Sequence, residues 1–321
     1  MSPVRELIAG IYVPTLTFFT DDDQVDVAAI SRHAVRLAQA GVVGLVTLGS
    51  YGEGVLLSNE ERSVVTRTTR AALDQAGFTH VPVIAGVTDQ SVRGAVELAR
   101  QAASAGADAI LTVPPSYYRS FVTDQVMHDF FTGLADGSPV PVIIYNYPGV
   151  TAGVDLTSDL IARLSVHENI IGAKFTCGSS GKLARVAAQT RPVGPLNPDN
   201  AITTGGFLCI AGMADFLTQA LAVGGTGVIS GPANITPKTV VRVFNLFAQK
   251  KYDEAFKAQL ELSQSDYVLT NLGPEGSKIA LQKFFGYGGH VRRPLMKKTS
   301  VSAQDEVTEI AKRYIDFENS L

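Results

Sequence analysis

This chain predicts a (β/α)8 barrel, a TIM barrel of the α/β class, followed by a C-terminal helical extension. Two patterns carry that reading. Eight short β-rich apolar runs alternate with helix-length segments, and glycine recurs where a helix ends and a strand follows. Glycine takes the left-handed conformation of a helix C-terminus at little cost. Helix, glycine, strand, repeated, marks βα units and a parallel sheet, and eight such units close a barrel. An open doubly wound sheet is the competing arrangement.

The elements follow in order. The first run is 11–17 (IYVPTLT), and the second, 43–48 (VGLVTL), comes after Ala40-Gly41. Ser58-Asn59-Glu60-Glu61 then has capping-box spacing, so a helix starts there. The third run is 82–87 (PVIAGV). From Ser91, the residues Val92, Ala95, Val96, Ala99, Ala102 and Ala103 share one helix face, which ends at Ala105-Gly106. Runs four to six are 108–113 (DAILTV), 140–146 (VPVIIYN) and 170–175 (IIGAKF). A long polar segment, 191–205, precedes the seventh run, 206–210 (GFLCI). The eighth, 226–230 (TGVIS), follows Val223-Gly224. From Thr236 the strand signal stops. Residues 237–317 read as three or four helices, with a break at Asn271 to Pro274 and a turn at Gly286 to Gly289. The chain thus divides into a barrel, 1–235, and a helical region, 236–321.

Composition excludes several function classes. The 321 residues are 45% hydrophobic and 18% charged, enough for a large core in a soluble protein. A net charge of -3 favours neither nucleic acid nor an anionic membrane. The short basic stretches, Lys250-Lys251 and Arg292 to Lys298, read as solvated faces. No stretch reaches the roughly 18 apolar residues of a membrane span, and Met1 to Gly10 has no signal-peptide core, so the expected location is the cytoplasm. Cys177 and Cys209 read as reduced thiols. The histidines at 33, 80, 128, 167 and 290 lack metal-ligand spacing, so no metal is expected.

The chemistry centres on Lys174. It is the first lysine in the chain, and it lies inside the apolar run IIGAKF. A lysine in a buried strand must be paired or give up its charge. An amine that loses its proton easily condenses with ketones to form Schiff bases. The competing reading is a buried salt bridge. In a barrel, chemistry gathers at the C-terminal ends of the strands. The fifth run ends in Tyr145-Asn146-Tyr147-Pro148 and should lie about 4.8 Å from the sixth. If Tyr145 and Lys174 both point inward, a phenol stands beside the amine and can shuttle a proton; otherwise Tyr145 is a packed aromatic. Gly49-Ser50-Tyr51-Gly52-Glu53 follows the second run. Its glycines can free backbone amides for a small anion such as a carboxylate, or it is only a turn. Gly224-Gly225-Thr226-Gly227 is equally open between an anion cradle and close packing.

Four ordered motifs then resemble one family. Gly49-Ser50-Tyr51-Gly52-Glu53, Tyr145-Asn146-Tyr147-Pro148-Gly149, Gly172-Ala173-Lys174 and Gly225-Thr226-Gly227-Val228-Ile229-Ser230 are similar to the signatures of the dihydrodipicolinate synthase / N-acetylneuraminate lyase family. Its members are pyruvate-dependent class I aldolases on a (β/α)8 barrel, usually homotetramers. The resemblance implies that Lys174 forms the Schiff base and Tyr145 shuttles protons, with no metal or organic cofactor. It implies that Ser50 relays protons to Tyr145 and that Tyr117 completes the relay from a neighbouring subunit. Ser50-Tyr51 would hold the pyruvate carboxylate, Gly212 and Ile229 would line the pocket, and Thr176 would contact the rest of the substrate. The partners implied are a small keto acid and further copies of the chain, as a dimer or tetramer.

Departures from the family pattern bear on the substrate. The synthases have threonine at the position of Tyr51, and an arginine that grips aspartate semialdehyde at the position of Val150. The motifs look closer to the branch that cleaves 2-keto-3-deoxy sugar acids, including 2-keto-3-deoxy-L-galactonate. The 4-hydroxy-2-oxoglutarate aldolases resemble it too, with cysteine at the position of Ser116. The expected activity is therefore cleavage of a 2-keto-3-deoxy acid to pyruvate and an aldehyde. The alternatives are 4-hydroxy-2-oxoglutarate cleavage and condensation of pyruvate with aspartate semialdehyde. A barrel that only senses a keto acid is a reading of a different class, but it would need neither the lysine nor a proton relay.

Overall fold

Eight parallel strands pair in chain order and close on themselves in a computed structural model that describes residues 5–190, 206–295 and 300–321. They are β1 (Gly10–Pro14), β2 (Gly44–Thr47), β3 (Val83–Gly86), β4 (Ala109–Thr112), β5 (Val142–Asn146), β6 (Ile170–Phe175), β7 (Leu208–Ala211) and β8 (Gly227–Ile229). The barrel, not the open sheet, is the fold. Each predicted strand is present, and several are shorter than their apolar run. Beyond Pro14, for example, the chain stays buried through Thr17 but leaves the ladder, since the run was set by burial rather than by pairing. The polar segment 191–205 lies outside the described residues.

The helices between them are α1 (Val27–Gln39), α2 (Asn59–Gln75), α3 (Val92–Ser104), α4 (Asp124–Gly137), α5 (Ser158–Leu164), α6 (Ser180–Gln189) and α7 (Leu217–Ala222). Helix α2 starts at a complete capping box: Glu61 N donates to Ser58 Oγ, and Ser58 N donates to the Glu61 carboxylate. Helix α3 is capped by Ser91 and buries Ala95, Ala99 and Ala102. Gly41, Gly106 and Gly224 all have left-handed φ at the joints where glycine was expected.

Alternate strand residues serve two cores. Val46, Ile84, Leu111, Ile143, Leu208, Ile210 and Ile229 fill the barrel interior. Leu45, Val83, Ile110, Val142, Ile144 and Val228 face the surrounding helices. Strand β6 breaks its own alternation. Ile170 faces the helices, and so do Ala173 and Phe175, three and five residues on. The phase changes because the β5–β6 register shifts between Val142 and Ile143, so that Val142 pairs with Ile170 but Ile143 pairs with Gly172. One extra residue in a strand turns all that follow to the opposite face. Without this bulge Lys174 would point at the helices.

Past β8 come α8 (Pro237–Ala248), α9 (Tyr252–Phe285) and α10 (Val301–Asn319). Helix α9 is interrupted at Gly273, whose φ of 65° precedes Pro274, and Gly286 ends it in the left-handed conformation. A proline inside a helix removes a hydrogen bond and clashes with the preceding turn, which accounts for the break. Among the described residues no helix is long and apolar enough to cross a membrane. Arg292 is not the solvated cation its basic neighbourhood suggested. Its guanidinium grips both oxygens of Glu61, at 2.7 and 2.8 Å, and also reaches Asp23.

Candidate active site

Lys174 and Tyr145 occupy the inner face at the C-terminal end of the barrel. Both are nearly closed to solvent, with 4% and 5% exposure. They are register partners across β5 and β6, and Lys174 Nζ stands 4.1 Å from the centroid of the Tyr145 ring. Among the described residues Lys174 forms no ion pair. A salt bridge, the competing reading, therefore finds no partner for the amine among the described residues.

Tyr147 was not singled out in the sequence. Its ring stacks on Tyr145 with centroids 5.7 Å apart and planes at 26°. The signal was available, because residues two apart on a strand share a face. Burial, and then the proximity of Tyr145, raise the pKa of the Tyr147 phenol. The end of β5 is held from behind: Asn146 donates to Asp155 and accepts from Leu156 N, and Asp155 pairs with Lys182.

Five further candidate residues, Ser50, Tyr51, Thr176, Gly212 and Ile229, lie at or just beyond the C-terminal ends of their strands. Ser50 is exposed in the loop after β2. Tyr51 packs its ring on Gly231 so closely that a Cβ on that glycine would collide with it. The Tyr51 hydroxyl is buried without a hydrogen-bond partner of good geometry, beside Thr270 of α9. Burial, with the Asp266 carboxylate second, pushes its pKa up. Thr176 follows β6, its amide donating to Asn146 O at 3.0 Å, while its Oγ1 is buried and unpartnered. Buried polar atoms are normally paired, so the unpartnered Thr176 Oγ1 marks a position that a polar ligand can satisfy.

Gly212 and Ile229 line the same end. A side chain at Gly212 would strike Thr176, and Ile229 is fully buried on the inner face. Beyond Ile229, Ser230 donates to Asp266 of α9 at 3.1 Å. Asp266 has no exposed surface. Burial first, and the nearby Asp215 second, push its pKa up to about 7. Sequence reading missed Asp266, because an aspartate within a polar helical stretch carries no sign of burial.

Tyr117 is not gathered with these residues within one chain. It is 79% exposed on the loop after β4, its ring against Tyr118 at 5.1 Å, with Phe121 exposed nearby. Gln90 fixes that loop by accepting from the amides of Ser116 and Tyr117. The Gly224 to Gly227 run is close packing: the amides of Gly225 and Thr226 are bonded to Ala220 O and Cys209 O, and a Cβ on Gly227 would collide with Gly10. Among the described residues no group of three or more His, Cys, Asp or Glu side chains could hold a metal ion.

This arrangement offers a buried amine beside a phenol at the C-terminal end of a barrel, which suits imine chemistry on a small keto acid. Comparison with known proteins points the same way. A family model described as the dihydrodipicolinate synthetase family matches residues 7–314. The chain is 46% identical over 331 residues to an L-threo-3-deoxy-hexylosonate aldolase of Aspergillus niger, covering 99% of this chain and 98% of that one. It is 45% identical over 299 residues to a protein of Emericella nidulans named "Probable 4-hydroxy-2-oxoglutarate aldolase, mitochondrial", covering 93% of each. Among solved structures it superposes with a TM-score of 0.81 and 28% identity on YagE of E. coli K12, a dihydrodipicolinic acid synthase family protein crystallised with pyruvate. That match covers 96% of this chain and 99% of that one.

Proposed function

The chain belongs to the dihydrodipicolinate synthetase family, and from that premise we propose that it is a class I aldolase cleaving a 2-keto-3-deoxy sugar acid to pyruvate and an aldehyde. The observation that carries this reading is the register pair of Tyr145 and Lys174 on the inner face, with the amine free of any ion pair among the described residues. The amine of Lys174 adds to the C2 ketone of the substrate. The carbinolamine loses water and becomes a protonated imine. Tyr145 takes the proton from the C4 hydroxyl, and the C3–C4 bond breaks. Its electron pair passes to the imine as an enamine, and the aldehyde leaves. The enamine takes a proton at C3, and water releases pyruvate and restores the amine. Ser50, and Tyr117 from a second copy of the chain, pass protons to and from Tyr145. The loop at Ser50-Tyr51 holds the carboxylate, and Thr176 contacts the polyhydroxy end. No metal or organic cofactor takes part.

The barrel, 1–235, carries the reacting groups, and the helical region, 236–321, supports them. The exposed aromatics Tyr117, Tyr118 and Phe121 support assembly of a homo-oligomer, and the location proposed is the cytoplasm. Similarity to the Emericella nidulans protein keeps 4-hydroxy-2-oxoglutarate as a second substrate reading. A cleavage screen with pyruvate as the readout tests both. It should cover 2-keto-3-deoxy-L-galactonate, other 2-keto-3-deoxy sugar acids and 4-hydroxy-2-oxoglutarate. Pyruvate release from sugar acids ahead of 4-hydroxy-2-oxoglutarate is the expected result, and release from none of them would refute the aldolase reading.

A further inference from the structure

The loop that follows β2 is strained at both ends. Leu48, with φ 62°, and Glu53, with φ 52°, are non-glycine residues in the left-handed region. Such positions cost roughly 1–3 kcal/mol each and persist only where the surroundings over-determine them. At Leu48 the surroundings are backbone: its carbonyl sits where a Cβ on Gly54 or Gly86 would be. At Glu53 the surroundings are charge. Its Oε1 lies 2.6 Å from Lys278 Nζ of α9, and neither side chain has any exposed surface. Its Oε2 accepts from Arg292 N at 2.8 Å.

The lysine is equally constrained. It donates to His290 O at 2.8 Å and lies 4.5 Å from the centroid of the Phe19 ring. Arg292 covers the same ring at 4.3 Å and holds Glu61 at the far end of the β2–α2 connection. The helical region therefore grips this connection at two acidic residues, Glu53 and Glu61. Stability alone is a weak explanation for the first grip, since a buried ion pair often stabilises no better than apolar residues of the same volume. Between the two strained residues lie the amides of Ser50 and Tyr51, which donate to no protein acceptor among the described residues.

We propose that Glu53 and Lys278 are positioning residues for the keto-acid carboxylate: their buried ion pair holds the Ser50-Tyr51 amides in the geometry that receives it. This rests on the Schiff-base reading above and adds α9 to the machinery of substrate binding. Neither residue touches the substrate. Both act through the backbone of the loop, where small displacements matter because hydrogen bonds to a charged group are strong and directional.

The test uses borohydride trapping at Lys174 with two ketones, pyruvate and its uncharged methyl ester. The ratio of their half-saturation concentrations reports the carboxylate contact separately from imine formation. In the wild type pyruvate should be preferred by about tenfold or more, the scale of a hydrogen bond to a charged group. In the double variant Glu53→Gln/Lys278→Met, which leaves no unpaired buried charge, that preference should collapse toward unity. Glu53→Gln alone should reduce it in the same direction, and it carries the test if the double variant does not fold. An unchanged preference in a folded variant overturns the proposal, even if thermal stability falls. No adduct in the wild type with either ketone overturns the Schiff-base reading itself, and this proposal with it.

Discussion

Tyr145 and Lys174 face each other across adjacent parallel strands, with the lysine Nζ 4.1 Å from the centre of the phenol ring. The amine lies over the face of the ring, so the aromatic surface can stabilise a positive charge that forms there. A protonated imine is such a charge. Both residues are carried by strands rather than loops, which fixes their separation. The bulge that rephases β6 after Ile170 puts the amine on the ring's side of the sheet.

Lys174 should be the covalent residue. Incubation with pyruvate and borohydride should add one reduced pyruvyl group per chain, and peptide mapping should place it on Lys174. Lys174→Ala should abolish turnover with the fold retained by circular dichroism. An adduct on another lysine, such as the buried Lys182 or Lys278, would remove the basis of the mechanism.

How much of this could be read from the sequence depends on the kind of contact. The barrel was legible because burial repeats along the chain, as was Lys174, a lone lysine in an apolar run. The register of Tyr145 with Lys174 was only conditional. It depends on a one-residue bulge, and Ile171 carries no mark that it is the extra residue. The pair of Glu53 and Lys278 spans 225 residues. Lys278 stands between Glu275-Gly276-Ser277 and Ile279-Ala280-Leu281, a mixed stretch that does not say which face of the helix it lies on. The packing of the Tyr51 ring on Gly231, with its hydroxyl enclosed near Thr270, has no local sign in the sequence either. Contacts between the barrel and α9 are set by tertiary packing, which a single sequence does not encode by periodicity.

Tyr145→Phe should keep pyruvate trapping and slow cleavage by roughly a hundredfold or more, the usual scale of one acid–base group. Single-turnover kinetics on the purified variant would measure this. Near-normal turnover would assign the proton transfer to another group, with Tyr147 the first to examine because its ring stacks on Tyr145.

Chelation should leave the reaction intact. An imine is the electron sink in this mechanism, so cleavage after dialysis against EDTA should match the untreated enzyme. Activity lost to EDTA and restored by zinc or magnesium would assign the reaction to metal-assisted chemistry instead.

Asp266 should make stability depend on pH. Its folded pKa of about 7 lies above the usual carboxylate value, so the folded state binds more protons than the unfolded state between the two. Its contribution to stability is therefore fully present below about pH 4 and declines as the pH rises to about 7. The loss is on the order of a few kcal/mol. Asp266→Asn cannot ionise and should remove this slope. Thermal melts from pH 4.5 to 8 should show the wild type losing ground to the variant as pH rises. Parallel curves would mean that Asp266 ionises normally despite its burial.

The proposed substrate choice turns on Val150. Val150 stands 48% exposed on the turn after β5, at the position where the resemblance puts the arginine of the synthases. Aspartate semialdehyde brings a carboxylate that finds no cation at that position. A neutral polyhydroxy aldehyde such as glyceraldehyde needs none, and the unpartnered Thr176 Oγ1 is free to meet one of its hydroxyls. Hydrogen bonds to a charged group contribute roughly 1.5–3 kcal/mol, which is about one to two decades in rate constant. Cleavage of 2-keto-3-deoxy sugar acids should therefore be efficient, and condensation of pyruvate with aspartate semialdehyde negligible. Val150→Arg should narrow that gap by supplying the missing cation. The measurement is kcat/KM for each substrate with both proteins. A higher value for aspartate semialdehyde than for every sugar acid in the wild type would make the chain a synthase and the Val150 position irrelevant to the choice.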